Sequence, residues 1–182
     1  MEDEITQFLE QKQITYSIIN PKDIIFRDEF TDRCKMNYCG RYNTSWTCPP
    51  AIGDISELRK RVISYPKAIL YQMIFPLEDN YDVEGMDEGR HCIMKVTLEL
   101  HQLLQHQNSP FLVLAAGSCS ICPICTYPDK ECRHPELKLY SMESLGIDVA
   151  VLSKMYQLKY YNGPCTVTYY SVVFFSEEKC QL

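Results

Sequence analysis

The sequence predicts one α/β domain over residues 1–182, a sandwich in which helices pack against a mixed β-sheet. A chain of 182 residues can bury one sizeable core, and its 46% hydrophobic and 23% charged residues are typical of globular proteins. Segments with strand-like and helix-like periodicity alternate along the chain. This order is typical of helices that cover a sheet.

The first half of the chain is predicted to contain a helix, a strand, a long loop, a helix and a strand. The first helix has one apolar face, formed by Ile5, Phe8 and Leu9. The loop lacks any periodicity and contains the first set of cysteines. Asp54 and Glu57 resemble a capping box and predict the start of the second helix. The predicted bounds, in order, are 2–12, 14–19, 30–53, 55–63 and 67–75.

The second half is predicted to contain the longest helix, then a strand, a second cysteine loop, two helices and a final strand. Pro135 suits the first turn of a helix that ends before Gly146, and Asp148 suits the cap of the next helix. Asn162 and Gly163 predict a turn before the last strand. The predicted bounds are 87–107, 111–116, 117–135, 135–145, 149–156 and 165–175.

The second cysteine loop is expected at a position that suits a ligand site. It begins at Gly117, directly after the strand predicted over 111–116. Open α/β sheets commonly hold ligands at the carboxyl ends of their strands. The sequence therefore predicts that these cysteines lie at one edge of the sheet.

Charge and cysteine content exclude several classes of function. The net charge of −6 argues against nucleic acid as the main partner, because phosphate binding requires a basic face. The acidic N-terminus has no signal-peptide pattern, and no apolar run is long enough for a membrane span, so we expect a cytoplasmic protein without a membrane partner. In a reducing compartment, ten clustered cysteines favour metal binding or redox chemistry over disulfides.

The second cysteine set has the spacing of an iron–sulfur loop. Cys119, Cys122 and Cys125 form a C-x2-C-x2-C run, and Cys132 follows after a short excursion. Such a tight run suits three corners of a [4Fe–4S] cube, and a fourth thiolate completes its coordination. A single zinc ion is the alternative, although its cysteines usually come as two separated C-x2-C pairs.

The first cysteine set, Cys34, Cys39 and Cys48, has only three members close in sequence. Two interpretations remain open. Either a remote cysteine, Cys92 or Cys165, supplies a fourth ligand, or one iron has no cysteine ligand and can bind a substrate as a Lewis acid. Cys92 falls in a predicted helix, so we expect it to be a core residue.

Other residues near the cysteines have two interpretations each. Tyr42 and Trp46 lie within the first set, where they either shield a metal from water or pack the loop onto the core. Arg133 follows Cys132 and either offsets the charge of the metal site or remains solvated. Cys180, near the C-terminus, is expected to be an ordinary thiol.

Three motifs resemble those of a known family. They are CGRYNTSWTCPP (39–50), CSICPIC with CRHP (119–135) and SMESLGIDV (141–149). Together they are similar to a family of predicted metal-binding proteins, a bacterial and archaeal domain of unknown function. The resemblance supplies no reaction and no derivable chemistry for Ser141 or Glu143. It implies metal or iron–sulfur binding by seven cysteines: Cys34, Cys39, Cys48, Cys119, Cys122, Cys125 and Cys132.

Three hypotheses for the function follow. The first is a protein with one or two [4Fe–4S] clusters that acts in redox or cluster-based sulfur or small-molecule chemistry, with a redox partner or a small-molecule substrate. The second is a zinc-binding structural module, and the third is a carrier of metal or sulfur. The sequence does not decide whether the protein is an enzyme, and it does not indicate an oligomeric state.

Overall fold

The computed structural model describes residues 1–177 as a five-stranded mixed sheet with helices on both faces. This architecture confirms the predicted α/β class. The α-helices are Glu2–Gln11 (α1), Asp28–Arg33 (α2), Ile55–Ser64 (α3), Val83–Leu104 (α4) and Val149–Met155 (α5). The strands are Thr15–Ile19 (β1), Lys67–Pro76 (β2), Phe111–Ala115 (β3), Tyr140–Ser141 (β4) and Thr166–Phe175 (β5).

The sheet has the strand order β1-β2-β5-β3-β4. The long strands β2 and β5 form its centre and pair antiparallel over their whole length, from Lys67 opposite Phe175 to Pro76 opposite Thr166. Strands β1 and β3 also pair antiparallel with their neighbours, whereas β4 runs parallel to β3. The parallel pair makes the sheet mixed and directs the chain after β3 and after β4 toward the same edge.

Alternating side chains of the central strands build two hydrophobic cores, one on each face of the sheet. Leu70 of β2 and Phe174 of β5 are fully buried on the face that α3 and α5 cover. Their neighbours Ile69 and Phe175 are fully buried on the opposite face, against α1 and α4. Both cores follow from the two-residue period of a strand, which sends successive side chains to opposite faces.

Aspartates cap three of the helices, as the sequence indicated at two of these positions. Asp54 accepts a hydrogen bond from the amide of Ser56 at the start of α3, and Asp148 accepts one from Val151 in α5. Asp82 caps α4, so this helix begins four residues before the predicted start at residue 87. Within residues 1–177, no helix combines the length and the apolar character that a bilayer crossing requires.

Two predicted segments differ from the structure. The first residues of the loop predicted over 30–53 belong instead to α2, which ends at Arg33. A 3-10 turn over Cys34–Met36 follows directly. The helix predicted from Pro135 is instead a 3-10 turn, the short strand β4 and a second 3-10 turn over Glu143–Leu145. Pairing of β4 with β3 accounts for the second difference, because tertiary contacts override local helix propensity in such short segments.

His101, on the buried face of α4, is the least solvated histidine of the core. Only 6% of its surface is exposed, the edge of the Phe111 ring packs against it, and its Nδ1 has no hydrogen-bond partner within residues 1–177. Burial lowers the pKa of His101 to about 4, and the nearby Glu136 opposes this effect only weakly.

We predict that His101 makes the folded protein sensitive to mild acid. In the unfolded chain its pKa returns to about 6.5, so the unfolded state binds the proton first as the pH falls. The free energy of unfolding should therefore fall between about pH 6.5 and pH 4, by up to about 3 kcal/mol. The His101→Gln variant should lack this component when chemical denaturation is measured across that range.

The exposed His106, just after α4, provides the control. The His106→Gln variant should keep the acid sensitivity of the native protein. An identical pH dependence in the native protein and in His101→Gln would contradict the prediction. Loss of metal at low pH would affect all three proteins alike.

Candidate metal centres

Both cysteine sets lie at the edge of the sheet where β3 and β4 end. The chain leaves β3 through Gly117 into the second set, and it leaves β4 through Met142 into the turn that contains Glu143. Strand-like pairing of Phe26 with Ile147 then holds the segment that leads to the first set against this turn. Three segments that are distant in sequence therefore meet at one place, as expected for the carboxyl end of a strand.

The four-cysteine loop, residues 117–135, folds back on itself between Cys125 and Cys132. The Lys130 amide donates to the Thr126 carbonyl at 3.0 Å, and the Thr126 hydroxyl donates to the Glu131 carbonyl at 2.8 Å. These bonds close the short excursion and return Cys132 to the other thiols. All four cysteines of the loop line one small cavity, of about 30 Å³.

Asn37 and several backbone bonds hold the three-cysteine loop, residues 34–50. Asn37 adopts a left-handed conformation, its carbonyl accepts from Gly40, and its side chain accepts from the amide of Tyr42. The amide of Asn43 donates to the carbonyl of Pro49 at 2.8 Å, which returns the end of the loop to its middle. As a result, all three cysteines line one cavity of about 400 Å³.

Trp46 joins the two loops. Its indole N–H donates to the Lys130 carbonyl at 3.2 Å, and its ring meets the edge of Tyr127 at a centroid distance of 5.0 Å. The Tyr127 hydroxyl donates in turn to Asn43 at 2.7 Å. Trp46 thus covers the cavity of the four-cysteine loop, whereas Tyr42 lines the cavity of its own loop. Arg133 also lines the smaller cavity and donates to the Ile124 carbonyl.

Burial and nearby negative groups raise the pKa of two thiols of the first set, Cys34 and Cys48. Burial raises the pKa of the Cys34 thiol, and the neighbouring Cys39, Cys48 and Glu143 raise it further. Burial also raises the pKa of Cys48, although a hydrogen bond from Ser45 acts in the opposite direction. Because Glu143 and the three cysteines line one cavity, a cation must bind among them before the thiols can ionise together.

The two sets are close enough to influence each other. Cys119, at the start of the four-cysteine loop, raises the pKa of Cys48 at the end of the three-cysteine loop. Burial is the main cause of the raised pKa of Cys119 itself, and Cys132 and Cys122 add to it. Thr47 lines the small cavity and the next residue, Cys48, lines the large one, so a single peptide bond links the two sites.

The two cavities differ in volume and in lining. The smaller one is lined by its four thiols together with loop residues such as Trp46 and Lys138. The larger one, at about 400 Å³, falls in the size range of small-molecule sites. Besides its three thiols and Tyr42, polar and charged side chains line it: Arg41, Asp87, Arg90, Ser118, Ser141, Glu143 and Ser144.

The positions of the remaining cysteines correct one expectation. Cys92 is exposed on α4 and is not a core residue, because it lies on the helix face that points away from the sheet. Neither Cys92 nor Cys165 lines the cavity of the first set. Cys180 lies outside the described residues. Among residues 1–177, no group of three or more Cys, His, Asp or Glu side chains is placed closely enough to hold a metal ion.

Glu143 is the site residue that sequence reasoning did not assign. Its side chain contacts solvent through the large cavity and through a second cavity of about 410 Å³, and Cys34 and Cys39 line both. Desolvation raises the pKa of Glu143, while hydrogen bonds from its own amide, the Gly117 amide and the Ser141 hydroxyl lower it. The only signal in the sequence was its place within the motif at 141–149.

Comparison with known families identifies the chain's relatives. The family described as "Predicted metal-binding protein (DUF2284)" matches residues 17–175, a span that includes both cysteine loops and the motif at 141–149. The chain belongs to this family. Membership in DUF2284 confirms the resemblance to a family of predicted metal-binding proteins. The comparisons found no match among curated proteins and none among solved structures.

Gly146 fixes the turn that carries Glu143. It ends the turn in a left-handed conformation with φ of +76°, and its carbonyl accepts from the Arg27 amide at 2.7 Å. Arg59 donates to the carbonyl of Leu145 at 2.7 Å and so holds the same turn from α3. A side chain on residue 146 would collide with the Arg27 carbonyl and would lie 2.7 Å from Arg59 Nη2.

We predict that Gly146→Ala destabilises the protein by about 3 kcal/mol, because the left-handed backbone and the collision both add strain. The matched control is Gly40→Ala. Gly40 has a similar φ of +67°, but no atom lies within 4 Å of the position that its Cβ would occupy. Chemical denaturation should show that Gly40→Ala lowers the free energy of unfolding by only about 1 kcal/mol. Equal losses in the two variants would contradict the described packing of the turn.

Proposed function

We propose that this protein is an iron–sulfur protein with two [4Fe–4S] clusters, in which the four-cysteine loop serves electron transfer and the three-cysteine loop serves chemistry on a small molecule. The observation that carries the proposal is the contrast between the two cavities. Four thiols line a space of about 30 Å³, whereas three thiols line a space of about 400 Å³ that also contains charged side chains. One site has little free space beside its thiols, and the other leaves room for a substrate.

The chemistry of the donors supports iron–sulfur clusters at both places. Every donor that the resemblance implies is a thiol, the ligand type that iron–sulfur clusters use. The run from Cys119 to Cys125 has the ferredoxin-type spacing. With three cysteines at the large cavity, Cys34, Cys39 and Cys48 would hold three irons of a cube. The fourth iron, when bound, would supply Lewis-acid or redox chemistry to a substrate.

The chain's own residues would divide the remaining tasks. Trp46 and Thr47 line the small cavity, where they would limit the access of water to a bound metal and so shift its potential. The peptide bond between Thr47 and Cys48 provides a short covalent path between the sites for electrons. Arg41 and Arg90 line the large cavity and would orient an anionic group of the substrate.

A second candidate is a structural zinc ion at the four-cysteine loop. Its small cavity favours this alternative, because four thiolates around one zinc ion need less room than four thiolates around a cube. Under this alternative the protein would have at most one iron–sulfur cluster. Metal analysis separates the two candidates.

We predict that protein purified without oxygen is brown and contains about eight irons per chain. The Cys122→Ser and Cys39→Ser variants should each lose about half of this iron, because each removes a ligand of a different cluster. Cys92→Ser is the control, since Cys92 is exposed and lies at neither cavity, and it should keep all of the iron.

A colourless protein with stoichiometric zinc and no iron would contradict the proposal. Full iron content in the Cys122→Ser variant would reject the four-cysteine site. About four irons together with one zinc ion would select the second candidate.

A further inference from the structure

Three thiols alone leave the metal centre at the large cavity without a fourth protein donor. The two remote cysteines that the sequence offered, Cys92 and Cys165, do not line this cavity. Within residues 1–177, the carboxylates that line this cavity are those of Asp87 and Glu143. The question is therefore which carboxylate, if either, is available.

Asp87 is already engaged. Its Oδ1 accepts from both Nε and Nη2 of Arg90, at 3.0 and 2.7 Å, and His91 Nδ1 lies 3.3 Å from its Oδ2. More than half of the Asp87 side chain is exposed to solvent. Its charge is therefore balanced without a metal.

Glu143 has no such partner. Within the described residues it forms no ion pair with a lysine or an arginine, and the nearby arginines Arg27 and Arg59 pair with Asp148 and Asp28 instead. Glu143 is exposed at the cavity, so its uncompensated negative charge beside the three thiols is available to a bound metal ion.

The position of Glu143 is also fixed and adjacent to the thiols. Glu143 lines the same two cavities as Cys34 and Cys39. The 3-10 turn over Glu143–Leu145, the parallel β4 before it and Gly146 after it hold the residue in place. Two serines of the same segment support the turn, because the Ser141 hydroxyl accepts from the amide of Ser144.

We infer that Glu143 is the fourth protein ligand of the metal centre at Cys34, Cys39 and Cys48, and that an incoming substrate displaces it. This inference rests on the proposed function. A carboxylate oxygen is a harder donor than a thiolate, so it binds a cluster iron less firmly and exchanges more readily. Thiolates or sulfide that enter through the large cavity are the class of ligand best suited to replace it.

The test compares Glu143→Gln with Asp87→Asn in protein that is loaded anaerobically. Each variant removes one carboxylate charge from the same cavity and preserves the size of the side chain. After a brief exposure to ferricyanide, electron paramagnetic resonance measures the rate at which a [3Fe–4S] signal appears, and Mössbauer spectra of the untreated proteins report the ligands of the unique iron. Glu143→Asp is a further variant, because it keeps the charge and shortens the reach.

Glu143→Gln should keep about four irons at this site before treatment but lose the unique iron about tenfold faster than the native protein, with a changed Mössbauer spectrum for that iron. Glu143→Asp should lose this iron at a rate between those of the native protein and Glu143→Gln. Asp87→Asn should match the native protein in both the rate and the spectrum. If Glu143→Gln does not fold, the comparison of Glu143→Asp with the native protein decides the matter by the same two readouts.

Native rates and native spectra in the Glu143 variants would overturn the inference while leaving the proposed function intact. A native protein without iron at this site would overturn the proposed function, and the inference with it.

Discussion

The parallel pairing of β3 with β4 is the constraint on which the site depends. Leu114 pairs with Tyr140 and Ala115 with Ser141, so the two strands end side by side. The chain that follows each strand must then emerge at the same edge of the sheet. The four-cysteine loop and the turn that carries Glu143 are neighbours for this reason, with β4 in the seven residues between them.

The remaining part of the site is attached to this edge by backbone bonds and by two arginines, Arg27, which pairs with Asp148, and Arg59. The amide of Arg27 donates to the Gly146 carbonyl, and the Ile25 carbonyl accepts from Asp148, so the segment before α2 follows the turn. Arg59 adds a bond to Leu145 and an ion pair to Asp28. The three-cysteine loop that begins at the end of α2 is consequently held over the same edge. The motif at 141–149 therefore holds the segment before α2 in place, in addition to providing the Glu143 carboxylate.

The sequence was sufficient for the parts of the protein that follow a regular period. The apolar segments that became β2 and β5 and the apolar face of α4 predicted the sheet and its long helix, because such patterns report which residues are buried. The spacing from Cys119 to Cys125 likewise predicted a compact cysteine loop. The sequence was not sufficient to predict β4, because a strand of two residues has no detectable period. Only its pairing with β3 makes it a strand.

Two residues at the site show why the rest required the fold. Cys92 lies in a helix, as predicted, but a cysteine can occupy either face of a helix, and this one is exposed. Glu143 belongs to a motif without a recognisable ligand spacing, and its closeness to Cys34 depends on contacts between segments about a hundred residues apart. Neither fact follows from local sequence. In physical terms, local patterns determine the elements, and long-range pairing determines which side chains meet.

The central claim is that the two cysteine loops hold two separate iron centres side by side. Anomalous diffraction at the iron absorption edge, from crystals grown without oxygen, tests it most directly. The account predicts two iron peaks, one among the thiols of the four-cysteine loop and one among Cys34, Cys39 and Cys48, with the second peak facing the large cavity. A single peak shared by cysteines of both loops, or no iron peak at either cavity, would contradict it.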